Sequence, residues 1–283
     1  MEKISILHAI IMGIVQGLTE FLPISSSGHL VLAKFLLRAD LGANSAFFEV
    51  LLHVGTFIAV CCVYWKDVWS LIKEFFILIK DLFHYCKEKK AIEMYPERKM
   101  LLLVLIASVP TAILGLIIEK TLADVFMGSV LAVGLALLIT AAILIFSARV
   151  PEGRKQLKGI KYSDALFIGF VQGIAVTPGI SRSGSTIVAG LCSGLKREFA
   201  IRFSFLISLP AIAGAMLLSL KDLSGQDIAL NGLAYFIALI FSAGVGYVCI
   251  RWMLRLLKKN KLYYFGYYCA VIGIVAVITG LFM

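Results

Sequence analysis

The side chains best suited to chemistry lie in two short stretches of this chain that are similar to each other. Residues 13–30 align without gaps to residues 169–186, and eight of the eighteen aligned positions are identical. The first copy alone carries Glu20 and His29, and the second alone carries Arg182. The chain is therefore built from two related halves, and each half supplies different polar groups. The identical pairs are Gly13/Gly169, Val15/Val171, Gln16/Gln172, Gly17/Gly173, Ile24/Ile180, Ser25/Ser181, Ser27/Ser183 and Gly28/Gly184.

The first copy combines a carboxylate with hydroxyls and an imidazole. Gln16 and Glu20 are four residues apart, so they share a helical face. Serines 25–27 and His29 follow a helix break at Pro23. Hydroxyls and backbone N–H groups at the start of a helix favour an anion. An imidazole exchanges protons near neutral pH.

The second copy carries an arginine within an apolar stretch, directly after Pro178-Gly179. A buried guanidinium needs an anion, and its planar fork matches phosphate oxygens. Further hydroxyl donors surround it at Ser181, Ser183 and Thr186.

Structural interpretations of these charged residues remain open. Arg182 could simply pair with Glu20 or Glu49. Glu49 and His53 share a face of a span, and they form either a structural pair or a second layer of the site.

Composition indicates an integral membrane protein. Of 283 residues, 60% are hydrophobic, and the mean hydropathy is +0.96. The net charge of +10 comes from lysines and arginines clustered in a few loops, which is typical of membrane topology and argues against nucleic-acid binding. The six cysteines show no metal-ligand spacing.

The hydropathy pattern predicts an all-α polytopic protein that forms one membrane domain over residues 1–283. Two apolar stretches, 6–35 and 164–195, are broken in the middle, and they are expected to be re-entrant helical hairpins. Six full spans are predicted, at 46–64, 100–118, 126–148, 199–220, 232–250 and 263–283.

Loop charge predicts an inverted-topology repeat. Twenty lysines and arginines fall on one side of the predicted spans and five on the other, so the first side is cytoplasmic. Each repeat, 1–148 and 164–283, then holds one hairpin and three spans, and the two hairpins enter from opposite sides. Segment 65–99 is expected to begin with an amphipathic helix on the cytoplasmic surface, at 68–83.

At its polar motifs the sequence resembles the undecaprenyl-diphosphate phosphatase family of the bacitracin-resistance type. The motifs that carry the resemblance are Gln16-Gly-Leu-Thr-Glu20, Ser25-Ser-Ser-Gly-His29 and Pro178-Gly-Ile-Ser-Arg-Ser-Gly-Ser-Thr186. The resemblance covers the whole chain in length, span pattern and motif order. It implies hydrolysis of undecaprenyl diphosphate to undecaprenyl phosphate, which recycles the carrier lipid of cell-wall synthesis and confers bacitracin resistance.

The resemblance also implies a divalent cation, Mg²⁺ or Ca²⁺. Glu20 is its strongest ligand candidate, whereas Gln16 stands where some members have Glu, which leaves a direct metal role there in doubt. We expect Arg182 to hold the phosphate together with Ser25, Ser27, Gly179, Ser181, Ser183 and Thr186. Ser26 is the expected nucleophile and His29 its base, and direct attack by water is the rival mechanism.

The expected location is the bacterial plasma membrane, with a site that opens to the extracytoplasmic side and takes a lipid substrate. A lipid-phosphate flippase or transporter is the alternative, since inverted repeats with broken helices are common in transporters. A lipid phosphatase with a Lys-x6-Arg-Pro motif is disfavoured because that motif is missing. A homodimer through glycine-rich faces is a further expectation.

Overall fold

A computed structural model describes residues 4–37, 45–88, 93–127, 129–219, 225–257 and 261–282. These residues form eleven α-helices and one short 3-10 turn, Ser147–Arg149, and within them there is no strand beyond a single bridge between Lys155 and Leu195. The prediction of an all-α polytopic membrane protein is confirmed.

The helices are numbered here in chain order. They are α1 Ile6–Thr19, α2 Ser26–Leu37, α3 Ser45–Val63, α4 Trp65–Glu88, α5 Pro96–Met127, α6 Val130–Phe146, α7 Tyr162–Ile174, α8 Arg182–Cys192, α9 Arg197–Ser219, α10 Gly225–Leu257 and α11 Leu262–Leu281.

Five helices in the described part of the chain are long and apolar enough to cross a bilayer: α5, α6, α9, α10 and α11. The number rises to six if α3 and α4 are taken as one span, but these two helices meet at an angle of 94°. The two polar motifs lie elsewhere, where the chain forms pairs of shorter helices: α1 with α2, and α7 with α8.

The short helices that precede the motifs pack tightly on long helices, and repeated glycines make this possible. A Cβ atom on Gly13 of α1 would lie 2.7 Å from the carbonyl oxygen of Ala238 in α10. In the second copy, a Cβ on Gly169 of α7 would lie 2.6 Å from the Cα of Ala107 in α5. Close approach through small residues is a main source of helix association in membranes.

Helices α6 and α11 form a third close seam. A Cβ on Gly134 would lie 2.8 Å from the backbone nitrogen of Val277, and one on Gly273 would lie 3.0 Å from the carbonyl oxygen of Gly134. These seams fix the long helices around the two motif loops. They lie within one chain, so the homodimer stays a prediction.

Many large apolar side chains point outward, as expected for a protein embedded in lipid. Leu217, Leu233, Val248 and Val271 each expose more than three fifths of their surface. On a soluble protein such surfaces would promote association, whereas lipid chains cover them without cost.

The α5–α7 seam can be tested with a glycine pair. We expect Gly169→Ala to lower the thermal unfolding midpoint, because its Cβ would meet backbone atoms of Ala107 that cannot move independently. Overpacking of this kind typically costs about 1–3 kcal/mol. Fluorescence-detected size exclusion after heating measures the midpoint in detergent.

Gly244 is the matched control, since nothing lies within 4 Å of the Cβ that Gly244→Ala would add inside α10. This variant should unfold at or above the wild-type temperature, because alanine is the better helix former. Equal midpoints for the two variants would contradict the seam.

Candidate active site

The two motif loops touch each other in the interior of the protein. The backbone N–H of Gly179 donates a hydrogen bond of 3.3 Å to Ser27 Oγ. Gly28 approaches equally closely, since a Cβ placed on it would lie 3.2 Å from the Cα of Gly179. Gly179 has a φ of +93°, a backbone conformation that favours glycine. The second loop can therefore lie against the start of α2.

The repeated serines cap the two helices that leave the loops. Ser25 Oγ accepts the backbone N–H of Gly28 at 3.3 Å, and Ser181 Oγ accepts that of Gly184 at 3.1 Å. Ser25 also has a φ of +70°, which is unusual for a residue other than glycine. Two helix N-termini, each with free N–H groups and a positive dipole end, thus converge on one place.

Thr140 of α6 fixes the second loop. Its hydroxyl donates to the carbonyl oxygen of Gly179 at 3.0 Å and accepts the backbone N–H of Ser181 at 2.9 Å. The side chain is buried, so one hydroxyl satisfies two backbone groups that water does not reach. The sequence pattern missed this residue, because nothing distinguishes a threonine within an apolar helix.

Glu20 is the centre of the polar cluster. Its side chain is buried, and its carboxylate pairs with Arg182 across the two loops. Ser26 Oγ donates to the same carboxylate at 2.6 Å, and Gln16 Nε2 donates to it at 3.1 Å. His53 Nε2 lies 3.5 Å away. Donors from Arg182, Ser26 and Gln16 therefore hold the carboxylate in one orientation.

Arg182 is the first residue of α8, and only part of its hydrogen-bonding capacity is used. One terminal nitrogen pairs with Glu20, whereas the other, Nη1, is buried and has no partner in the described part of the chain. An unpaired guanidinium N–H in such a place is costly, and an anion removes the cost. Arg182 can therefore hold Glu20 and a second anion at once.

His29 is directed away from Ser26. Its Nδ1 lies 2.8 Å from the carbonyl oxygen of Ser25, which can only accept, so Nδ1 carries the proton. In the neutral ring Nε2 then accepts from the hydroxyl of Tyr268 at 2.9 Å, and the two rings stack with 5.6 Å between their centroids. Tyr268 on α11 is a second contact that the sequence pattern missed.

The second-layer candidates separate into two roles. Glu49 forms an ion pair with Lys34, at the edge of the cluster. His53 lies closer to the centre of the cluster. Its Nδ1 donates to the carbonyl oxygen of Glu49 at 2.8 Å, and its Nε2 therefore faces Glu20. Only His53 of this pair reaches the central carboxylate.

The hydroxyl groups on either side of Arg182 mostly form hydrogen bonds within the protein. Ser181 and Ser183 lie 3.5 Å apart, close to the loop. Thr186 donates to the carbonyl oxygen of Arg182 at 2.8 Å and contacts the hydroxyl of Ser204 at 2.5 Å, where both are buried. Thr186 thus ties α8 to α9, whereas the Ser181 hydroxyl caps the start of α8 and lies beside that of Ser183.

The oxygen atoms of this site could bind a divalent cation such as Mg²⁺ only if a bound phosphate supplied further oxygen ligands. No group of three or more His, Cys, Asp or Glu side chains that could hold a metal occurs among the described residues. Gln16 Oε1, however, is buried without a partner there, next to the Glu20 carboxylate. Mg²⁺ commonly binds one or two protein oxygens and completes its shell with phosphate oxygens and water. Gln16 and Glu20 fit that pattern.

The fold and this centre define a class: a polytopic membrane protein with one carboxylate–guanidinium site between two helix breaks. The family described as Bacitracin resistance protein BacA matches residues 9–275, and the chain belongs to this family. The resemblance seen in the motifs is thereby confirmed.

Three relatives carry the name undecaprenyl-diphosphatase. Those from Methanosphaera stadtmanae and Alkaliphilus metalliredigens are 43% and 42% identical, over 97% and 96% of this chain and 98% of their own length in both cases. The relative from Korarchaeum cryptofilum is 45% identical over 95% of this chain and 97% of its own.

The role of Thr140 can be tested through phosphate binding. We expect Thr140→Val to weaken the affinity for inorganic phosphate by about tenfold, because two buried backbone groups of the loop lose their shared partner. Thr140→Ser keeps the hydroxyl and should bind as the wild type does. Isothermal titration in detergent measures both, and equal affinity of the valine variant would contradict the role.

Proposed function

We propose that this chain hydrolyses undecaprenyl diphosphate to undecaprenyl phosphate and inorganic phosphate. This reaction recycles the carrier lipid for cell-wall synthesis and makes the cell resistant to bacitracin. One observation carries the proposal: the unpaired nitrogen of Arg182 lies beside the Glu20–Ser26 pair, where two helix N-termini meet. The family membership and the names of the relatives support it.

Arg182 is the anion clamp in this proposal. Its free Nη1, with Ser181 and Ser183 and the N–H groups at the start of α8, holds the terminal phosphate. The positive end of the helix dipole adds to the guanidinium charge. Because these donors are fixed before the substrate arrives, they also stabilise the charge that develops on the phosphoryl oxygens during transfer.

Ser26 is the proposed nucleophile. Its oxygen attacks the terminal phosphorus, the bond from that phosphorus to the bridging oxygen breaks, and the lipid phosphate leaves. The hydrogen bond from Ser26 to Glu20 gives the hydroxyl proton an acceptor at 2.6 Å. Water then attacks the phosphoserine and releases inorganic phosphate. This hydrogen bond favours Glu20 as the base over His29, whose two ring nitrogens are engaged by Ser25 and Tyr268.

The divalent cation, Mg²⁺ or Ca²⁺, belongs to the proposal as well. Glu20 and Gln16 are the residues that would hold it, since the Glu20 carboxylate lies beside the unpartnered Gln16 Oε1. When bound, the cation neutralises charge on the diphosphate and so favours departure of the lipid phosphate.

An inverted repeat in the bacterial plasma membrane completes the proposal. The packing of the two copies supports it: α1 lies on α10 and α7 lies on α5, which are equivalent positions in the two halves. The charge bias of the loops supports a cytoplasmic location for the α4 side and, with it, a site that opens to the extracytoplasmic side. Under this topology α3 is the sixth span and α4 lies along the surface.

A flippase is the less favoured function. The relatives are named as phosphatases, and a protein that only carries lipid phosphate has no need for a serine hydroxyl bonded to a buried carboxylate.

Phosphate release by purified protein tests the proposal. Wild type should release phosphate from a short isoprenyl diphosphate in detergent, and EDTA should stop it. Arg182→Ala should reduce kcat by about a thousandfold or more, since an arginine that stabilises the transition state of phosphoryl transfer contributes that much. Arg202→Ala is the matched control, because Arg202 pairs with Asp67 away from the cluster. No release by folded wild type would overturn the phosphatase and favour the flippase.

Serine replacement tests the nucleophile. Ser26→Ala should abolish turnover, whereas Ser27→Ala, which loses the contacts with Gly179 and Ser25 but none with Glu20, should keep a measurable rate. The mass of acid-quenched enzyme provides a direct check, because a covalent route adds one phosphoryl group during turnover. Near-normal activity of Ser26→Ala would leave direct attack by water as the mechanism.

A further inference from the structure

The acidic and basic residues of α4 lie on different faces of the helix. Its acidic residues Asp67, Glu74 and Asp81 are spaced seven apart, and so are its lysines Lys66, Lys73 and Lys80. Residues seven apart lie on nearly the same side of a helix, and neighbouring residues lie about 100° apart. The helix therefore has an acidic row and, well separated from it, a row of lysines.

The acidic row faces the rest of the protein, and arginines of other helices neutralise it. Arg98 of α5 is almost fully buried; its Nε donates to Glu74 at 2.6 Å and its Nη2 to Asp81 at 2.5 Å. Arg202 of α9 pairs with Asp67, with 2.8 Å between Nε and the carboxylate. These contacts hold α4 in a fixed rotation about its axis.

The lysine row consequently points away from the rest of the protein, and no carboxylate of the described residues neutralises it. Lys66, Lys73 and Lys80 are exposed, and among the described residues no carboxylate lies within 4 Å of their ammonium groups. Lys73 lies over the ring of Trp69, with 5.6 Å from its Nζ to the ring centroid. No acidic side chain of residues 65–85 shares the outward side.

An apolar face borders the lysine row. Large side chains along it are exposed by 58% at Trp65, 52% at Trp69, 65% at Phe76 and 68% at Phe83. In water such a face is unfavourable. The 94° angle between α3 and α4 turns α4 across the direction of the preceding helix, as a helix lying on a membrane surface requires.

We propose that the lysine row of α4 is a binding surface for the anionic headgroups of the bilayer, with the apolar face inserted beneath them. Phosphatidylglycerol represents the class of partner: a lipid whose headgroup as a whole carries a net negative charge. Lysines at the edge of an apolar face extend their ammonium groups to the headgroup level while their stems remain in the apolar layer. Each lysine near an anionic surface contributes about fivefold to binding.

Charge complementarity selects this partner over others. A purely solvated helix would not combine an unbroken cationic row with an exposed aromatic face. Uncharged lipids would satisfy the apolar face but leave the lysines without counter-ions. The inference concerns a surface outside the Arg182–Glu20 cluster and does not depend on the proposed reaction.

The tryptophans of α4 allow a direct test. The chain has three tryptophans, and in a Trp252→Phe background only Trp65 and Trp69 fluoresce as indoles. The protein is reconstituted in vesicles of equal phosphatidylglycerol and phosphatidylcholine, with bromine on the chains of one lipid or the other. Bromine quenches nearby tryptophan, so the ratio of the two quenching levels reports which lipid surrounds α4.

We expect phosphatidylglycerol to be preferred by at least about fivefold, and the triple variant K66Q/K73Q/K80Q to lower the preference to about one. K66R/K73R/K80R should retain it. The variant R154Q/K158Q/K161Q removes three exposed cations of the 149–163 loop and should also retain it. Phosphate release by the glutamine variant should match that of the wild type.

Four outcomes would overturn the inference. One is equal quenching by both brominated lipids in the wild type, and another is an unchanged preference in the glutamine variant. Absence of quenching by either lipid would show that α4 lies in water. A loss of preference in the 154/158/161 control variant to the same degree would assign the effect to overall charge.

Discussion

An ion pair within the membrane domain determines much of this structure. Glu20 and Arg182 come from different halves of the chain and meet between two helix breaks. Burying either charge alone in an apolar interior would be strongly unfavourable, and pairing the two lowers that free-energy cost. The pair also leaves part of both groups available: Glu20 accepts from Ser26, and Arg182 keeps a free nitrogen. The stability of the centre and its reactivity therefore arise from the same contact.

The pair can form because backbones approach closely around it. Glycines at repeated positions allow α1 to lie on α10 and α7 on α5, and the α6–α11 seam adds a third contact of this kind. Side chains of α6 then reach the second loop, where Thr140 holds Gly179 and Ser181. The loops are irregular, yet their backbone groups have partners, as burial requires.

The sequence predicted the part of this site that depends on unusual residues. Ionisable groups stand out in an apolar chain, so Glu20 and Arg182 could be identified, and their pairing was one of the open alternatives. Thr140 and Tyr268 could not, because a threonine in one apolar helix and a tyrosine in another are ordinary residues whose importance depends on distant partners. Ser26 forms its hydrogen bond with Glu20 and not with His29. This contact depends on the path of the loop, which the spacing of the residues does not define.

The helices show a similar division. Five of the six predicted spans correspond to long apolar helices. Of these, α5 and α10 extend for 32 and 33 residues, beyond the predicted apolar segments, since a helix can continue where hydrophobicity ends. Composition did not predict the angle of 94° between α3 and α4. The amphipathic pattern of 68–83 is nevertheless consistent with it, because a helix on the membrane surface must turn away from the preceding span.

The ion pair between the halves bears on how such a chain could arise. At the positions aligned with Glu20 and Arg182, the opposite copies carry Val176 and Ser26. An assembly of two identical first halves would therefore bring together two carboxylates without a guanidinium, and two second halves would bring together two guanidinium groups. Neither assembly could form this centre. A single chain that holds both copies allows the two to differ, and each carries the charge that the other lacks.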